Sequence, residues 1–153
     1  WVPGFATHYG PFPSYPPGND AGYQPLNVGV GCSNGDPGGD PRFNQILANG
    51  TYNNPLDPSC VWPKTPTVAV SAAAWQNTDI CYQTLKIRPK GNPSGELVAH
   101  VVDWCPASGC LWPQNQLTTN VDLYGEVTWL ALGGDNQGAM GQVPVEIQWP
   151  AGL

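Results

Sequence analysis

Glu96-Leu97-Val98-Ala99-His100-Val101-Val102-Asp103-Trp104-Cys105-Pro106 is the stretch whose reading decides the fold. In an extended chain successive side chains point to opposite faces. Leu97, Ala99, Val101 and Asp103 therefore share one face, and Val98, His100, Val102 and Trp104 share the other. Both faces are largely apolar, as expected for a strand in a closed barrel. Upstream, Ile80 to Arg88 reads as a second strand, and Pro89 to Gly95 between the two is a hairpin signal. Val68 to Ala74 gives a third strand. Downstream, Val143, Val145, Ile147 and Trp149 alternate with Pro144, Glu146 and Gln148, which predicts a half-buried final strand.

Helical signals are few. Val127, Leu130 and Ala131 recur at helical spacing within Glu126 to Leu132, and Gly133-Gly134 supplies a residue able to take the left-handed cap conformation. Phe43, Ile46 and Leu47 give a second short helical piece at Pro41 to Ala48. From Trp1 to about Pro66 the chain is otherwise loop-dominated, with clusters such as Pro11 to Pro17 and Asp36 to Pro41. Only Phe5 to Tyr9 reads as a strand there. The fold class expected is all-β, a small barrel with one or two short helices and long N-terminal loops.

The 153 residues fit one domain, residues 1–153. Gly (19) and Pro (18) make the chain turn-rich, but hydrophobic residues at 41% leave it too apolar for disorder. A formal charge of −6, with Lys86, Arg88 and Lys90 the one local basic cluster, argues against nucleic acid as a partner. No apolar run reaches a membrane span, and Trp1 starts the chain without a signal-like stretch, so it reads as a mature form.

Five cysteines, Cys32, Cys60, Cys81, Cys105 and Cys110, suggest two disulfides and one odd thiol, hence a secreted protein in an oxidising compartment. The sequon Asn49-Gly50-Thr51 points the same way. A zinc reading, Cys105 and Cys110 with Cys81 and His100, lacks a second cysteine pair and ranks below disulfides. Neither a metal nor another cofactor is expected.

Asp103 and Asp122 stand out because each ends or interrupts an apolar strand. Such a carboxylate must find hydrogen-bond donors or keep its proton. From spacing alone the favoured reading of each is a turn or helix cap, the ordinary task of aspartate in such places. Seven Trp and six Tyr are many for this length, and Trp62, Trp75, Trp112, Tyr15 and Tyr23 fall in loops. Loop aromatics suit the C–H faces of sugars, although most such rings in any protein simply pack. No Gly-x-Ser-x-Gly or phosphate-loop signature occurs.

In order along the chain, Gly4-Phe5-Ala6-Thr7-His8-Tyr9-Gly10, Cys81-Tyr82, Val101-Val102-Asp103-Trp104-Cys105-Pro106, Val121-Asp122-Leu123, Leu132-Gly133-Gly134 and Val143-Pro144-Val145 resemble the double-psi β-barrel domain of expansins and single-domain loosenins. Residues 11 to 66 match little beyond Gly31-Cys32. The resemblance implies a six-stranded double-psi β-barrel with an open groove, and Thr7, Asp103 and Asp122 together on its floor. Asp122 would stand where family 45 endoglucanases keep their general acid, with Asp103 as the second aspartate. Thr7, Tyr9, Trp104, Trp112 and Trp75 are the candidate sugar contacts. Departures from the family pattern are Cys105 in place of a tyrosine, Val121 in place of leucine, and Tyr124-Gly125 in place of a serine and proline. The preferred disulfides are Cys81 with Cys105 and Cys32 with Cys60, leaving Cys110.

Inverting hydrolysis needs an acid and a base on opposite sides of the bond, about 6.5–9.5 Å apart. The resembling endoglucanases take the base from the first strand, where Phe5 to Gly10 has no carboxylate. The two aspartates are expected side by side. The function expected is non-hydrolytic loosening of cell-wall polysaccharide, cellulose, xyloglucan or chitin, by a secreted monomer that binds crystalline cellulose weakly. The alternatives are an endoglucanase or lytic transglycosylase using Asp122 as acid, and a barwin-like binding or defence protein.

Overall fold

The structure, a computed structural model, describes residues 1–9, 31–33, 40–54, 57–71, 74–75, 79–105, 120–135 and 141–151. Its strands are β1 (Val2–Tyr9), β2 (Thr51–Asn54), β3 (Asp57–Pro63), β4 (Thr67–Ser71), β5 (Thr84–Pro89), β6 (Leu97–Cys105), β7 (Asn120–Tyr124) and β8 (Val143–Gln148). Among the described residues they are accompanied by the α-helices α1 (Pro41–Ala48) and α2 (Glu126–Ala131).

Six strands close into a barrel in the order β1-β7-β4-β6-β5-β8. The pairs β1 with β7 and β4 with β6 are parallel, and the other four are antiparallel. Exchanging β1, β4 and β5 for β6, β7 and β8 leaves this pattern unchanged. Each three-strand half thus sends one strand parallel into the other half, the interlock of the expected double-psi barrel. The fold is all-β, as the alternation of β5, β6 and β8 predicts.

Closure buries one face of every strand. Val143, Val145 and Ile147 of β8 point inward while Pro144 and Gln148 are exposed, which is the alternation read in the sequence. They meet Ala6, Val68, Val70, Leu85, Ile87, Ala99, Val101, Val121 and Leu123 in one core. Each fully buried Val, Leu or Ile of this kind contributes about 1.5–3 kcal/mol.

The helices close the barrel's ends and sides. Asp40 caps α1, its side chain accepting from the Arg42 N–H, and Pro41 sits at the first turn, where its missing N–H costs nothing. Phe43 and Ile46 of α1 then bury against Val102 and Tyr124, outside the barrel core. After α2, Gly133 takes φ +95°, the left-handed cap conformation that only glycine reaches without strain. Gly134 follows because a Cβ there would collide with the fully buried ring of Trp129.

Three features differ from the sequence reading. The β2–β3 hairpin, two-stranded and outside the barrel, lies in a region read as loop. Second, the pairing of β4 with β6 shifts register between Val68, opposite Val101, and Ala69, opposite Asp103. Val102 is the extra residue of a β-bulge, and the bulge turns Asp103 away from the inward face of Ala99 and Val101. Third, Cys32 is bonded to Cys81, with Cα atoms 5.4 Å apart, and not to Cys60. Cys105 is also disulfide-bonded, but Cys81 is not its partner.

Candidate functional site

The bulge at Val102 creates a row of side chains on the outer face of the barrel. Thr7 of β1 stands opposite Asp122 of β7, Asp122 opposite Ala69 of β4, and Ala69 opposite Asp103 of β6. Paired residues on neighbouring strands point to the same side. The two aspartates are therefore separated by one strand rather than side by side, with Cα atoms about 10 Å apart at the usual strand spacing. Ala69 stands between them, buried, with Tyr9 packed against it.

Each carboxylate has its own donors. Thr7 Oγ1 donates to Asp122 Oδ1 at 2.8 Å. The backbone N–H groups of Gly31 and Trp104 both donate to Asp103 Oδ1, at 2.9 and 2.8 Å. On the other oxygen, Oδ2, Tyr9 Oη sits at 3.5 Å, the outer limit of a hydrogen bond.

These surroundings set the protonation states. Burial pushes the Asp122 carboxyl up to about 7; the Thr7 hydrogen bond opposes the rise, and the charge of Asp103 adds to it. Asp103 is also raised by burial, against the pull of the Gly31 and Trp104 N–H groups and the Tyr9 hydroxyl. Tyr9 is raised well above its ordinary value, first by burial and then by the two aspartates, so it remains a neutral donor. A carboxylic acid that holds its proton near neutrality can donate to a sugar oxygen, and a neighbouring ionised carboxylate can accept from a sugar hydroxyl.

Gly31 was legible only as part of a Gly-Cys element, and its role is steric. A Cβ there would lie 2.6 Å from Trp104 Cδ1 and 3.0 Å from Asp103 Oδ1. The backbone can approach Asp103 only without a side chain. The Cys32–Cys81 bond ties this strap to the turn before β5, and Tyr82 N–H then donates to the Val101 carbonyl at 2.8 Å.

Of the residues singled out in the sequence, the structure brings together Thr7, Tyr9, Asp103, Asp122 and Trp104, the last of these 42% exposed. Trp75 packs against the barrel core instead. Trp112 and Cys110 lie outside the described residues. Tyr9 and Tyr124 meet edge-on, with centroids 5.0 Å apart, and pack with Phe43 and Ile46 of α1. One long side of the carboxylate row is thereby walled off. Phe5, which the sequence reading passed over, stands exposed on the other side. Within the basic cluster, Lys86 pairs with Glu96 and Arg88 with Glu146, both at 2.8 Å. Among the described residues no group of His, Cys, Asp and Glu is arranged to hold a metal ion, and no helix is long and apolar enough to cross a membrane.

The fold and this outer-face row define a double-psi barrel carrying two aspartates in an aromatic setting. Among solved structures the chain is similar to an expansin of Clavibacter michiganensis. A mutant of that protein in complex with cellohexaose matches at TM-score 0.49 and 21% identity, over 99% of this chain and 52% of that one. Its apo form matches at TM-score 0.49 and 22% identity, with the same coverage. The chain thus spans about half the length of that expansin. No family model and no curated protein matches the sequence.

Proposed function

We propose that the protein is an expansin-like wall-loosening protein that binds a β-glucan chain along the Thr7–Asp122–Ala69–Asp103 row without hydrolysing it. The observation that carries this reading is the placement of both carboxyls on one face of the barrel, with no carboxylate on β1 to act from the opposite side of a bound chain. Asp122 donates its proton to a glycosidic or hydroxyl oxygen, and Asp103 accepts from sugar hydroxyls. Trp104 offers a ring face to a pyranose. Loosening then requires that the groove bind a twisted or lifted chain more tightly than the chain in its native packing, since equal affinity shifts nothing.

A second reading rests on the same proton. Asp122 at about 7 is poised as a general acid. Lytic cleavage of a glycan needs no water-activating base, so this acid would suffice for it. The disulfide fits secretion to an oxidising compartment, and a neutral wall glycan is the partner that suits a chain of charge −6 better than an anionic polymer.

The test is reducing-end and soluble-product release from cellulose, xyloglucan and chitin, run beside fibre-strength measurements, for wild type and Asp122→Asn. Fibre weakening that depends on Asp122, with no products, is the expected result. Products lost in Asp122→Asn would replace the loosening reading with the enzymatic one.

A further inference from the structure

The junction between α1 and β2 carries a motif that the carboxylate row does not use. Asn49 caps the C-terminal end of α1, and Thr51 is the first residue of β2. Between them Gly50 takes φ +118°, a conformation that side-chain-bearing residues rarely adopt, so the helix passes into the strand within a single residue. The backbone holds this turn from both ends. The N–H groups of Asn49 and Gly50 donate to the Ile46 and Leu47 carbonyls at 3.3 and 3.0 Å, and the Gly50 carbonyl accepts from the Lys64 N–H at 3.0 Å. Asn49 and Thr51 are both exposed, and the Asn49 carboxamide has no hydrogen-bond partner among the described residues.

Asn-x-Ser/Thr is the acceptor sequence for N-linked glycans, with any residue but proline at the centre. Two stretches of the sequence have its outer residues, Asn49-Gly50-Thr51 and Asn92-Pro93-Ser94. Both asparagines are exposed. Pro93 fixes φ at the centre of the second stretch and removes an N–H, and there the Ser94 hydroxyl donates to Asn92 Oδ1 at 2.6 Å. Exposure is common to the two stretches, so the central residue is what separates them.

We infer that Asn49 is an N-glycosylation site, modified by a lipid-diphosphate-linked oligosaccharide as the chain is exported; this rests on the reading of the protein as secreted. In the transfer, Asn49 Nδ2 bonds to the anomeric carbon of the first N-acetylglucosamine. The bond from that carbon to the phosphate oxygen breaks, the lipid diphosphate leaves with its electron pair, and Nδ2 gives up one proton to a base of the transferring enzyme. Nothing is oxidised or reduced. An attached glycan is bulky and hydrated, so the folded protein can carry it only where the acceptor faces water and displaces no packed group. Asn49 meets that condition. Earlier in the helix Phe43 and Ile46 are buried against Val102 and Tyr124, whereas Ala48, Asn49 and Thr51 face outward. The glycan is thereby anchored on the helix that walls the carboxylate row, and not on β1, β7, β4 or β6, which carry the row itself.

The experiment is to secrete the full chain from yeast and to compare its intact mass before and after peptide-N-glycosidase digestion in heavy-oxygen water. Wild type should lose the mass of one glycan, with the heavy oxygen incorporated at position 49 and nowhere else. Asn49→Gln and Thr51→Ala should reach the medium at the mass of the polypeptide alone, with melting temperature as the control of fold. Thr51→Ser keeps the hydroxyl and should keep the glycan. Pro93→Ala should gain a second glycan, on Asn92. Secreted wild type with the Cys32–Cys81 bond formed and no glycan would overturn the site and leave the secretion reading standing. A Pro93→Ala variant modified at Asn92 alone would do the same. Wild type held in the cell with Cys32 and Cys81 reduced would remove the secretion reading, and the site with it.

Discussion

Thr7 and Asp122 face each other across the parallel β1–β7 pair, and the threonine hydroxyl is the hydrogen-bond donor that holds the aspartate below the value burial alone would impose. Thr7→Val keeps the shape and removes the donor. The Asp122 carboxyl should then titrate further above 7, by about one unit, because a hydrogen bond to a charged group is worth about 1.5–3 kcal/mol and one unit about 1.4. Carboxyl 13C shifts followed over pH measure this directly. A lowered or unchanged value would remove Thr7 from the electrostatics of the site.

The elevated carboxyl also has a signature in stability. Between the ordinary aspartate value and about 7, the folded protein holds a proton on Asp122 that the unfolded chain has released. Stability attributable to this group is therefore greatest at acid pH and falls as pH rises through that window. Asp103, raised in the same direction, adds to the fall. Asp122→Asn keeps a neutral side chain of the same shape, so its melting temperature should exceed that of wild type at pH 8 and match it near pH 4. Thermal melts at the two pH values decide the matter.

Gly31 should tolerate no side chain. Gly31→Ala drives a methyl group into Trp104 and Asp103, at a cost of about 1–3 kcal/mol for an overpacked contact. Relief comes from moving the strap outward, which withdraws one N–H from Asp103 and raises its titration point further. The expected outcome is a folded protein with an elevated Asp103 value and weakened oligosaccharide binding, read by NMR titration.

Opening the Cys32–Cys81 bond should act at the same place from a distance. The bond closes a sequence separation of 49 residues, and losing a bridge of this kind costs about 2–4 kcal/mol. A Cys32→Ser, Cys81→Ser double variant should melt at lower temperature. Its Asp103 should also titrate higher than in wild type when measured well below the melting point. A fall in melting temperature with an unaltered Asp103 would make the bridge purely a global staple.

Much of this architecture is legible in the sequence, for identifiable reasons. Helix α1 occupies the expected span Pro41–Ala48 because Phe43 and Ile46 mark a buried face at helical period. Strands β5, β6 and β8 follow because hydrophobic alternation is a local signal. The facing of Asp103 was not legible. Counting by twos from Ala99 and Val101 puts it inward, and Val102, itself apolar and buried against α1, hides the extra residue of the bulge. The hairpin β2–β3 was missed because Pro55, Pro58 and Pro63 demote a strand reading. Proline is tolerated there because, among the described residues, the sheet has two strands and each pairs on one edge. The Cys32–Cys81 pairing depends on how the early loops fold back on the barrel, which no local pattern encodes.

The interlocked strand order has a consequence for how the chain acquires its structure. Thr7 and Asp122 meet across 115 residues of sequence, and β1 is completed on its other side only when β8 pairs with it. Neither the core nor the carboxylate row can form from an N-terminal fragment. A nascent chain must therefore emerge through β8 before the barrel can close, and topologies dominated by such distant pairings fold in milliseconds to seconds rather than microseconds. Throughout that interval the apolar strands lie unpaired, so aggregation competes with closure of the barrel until β8 has paired.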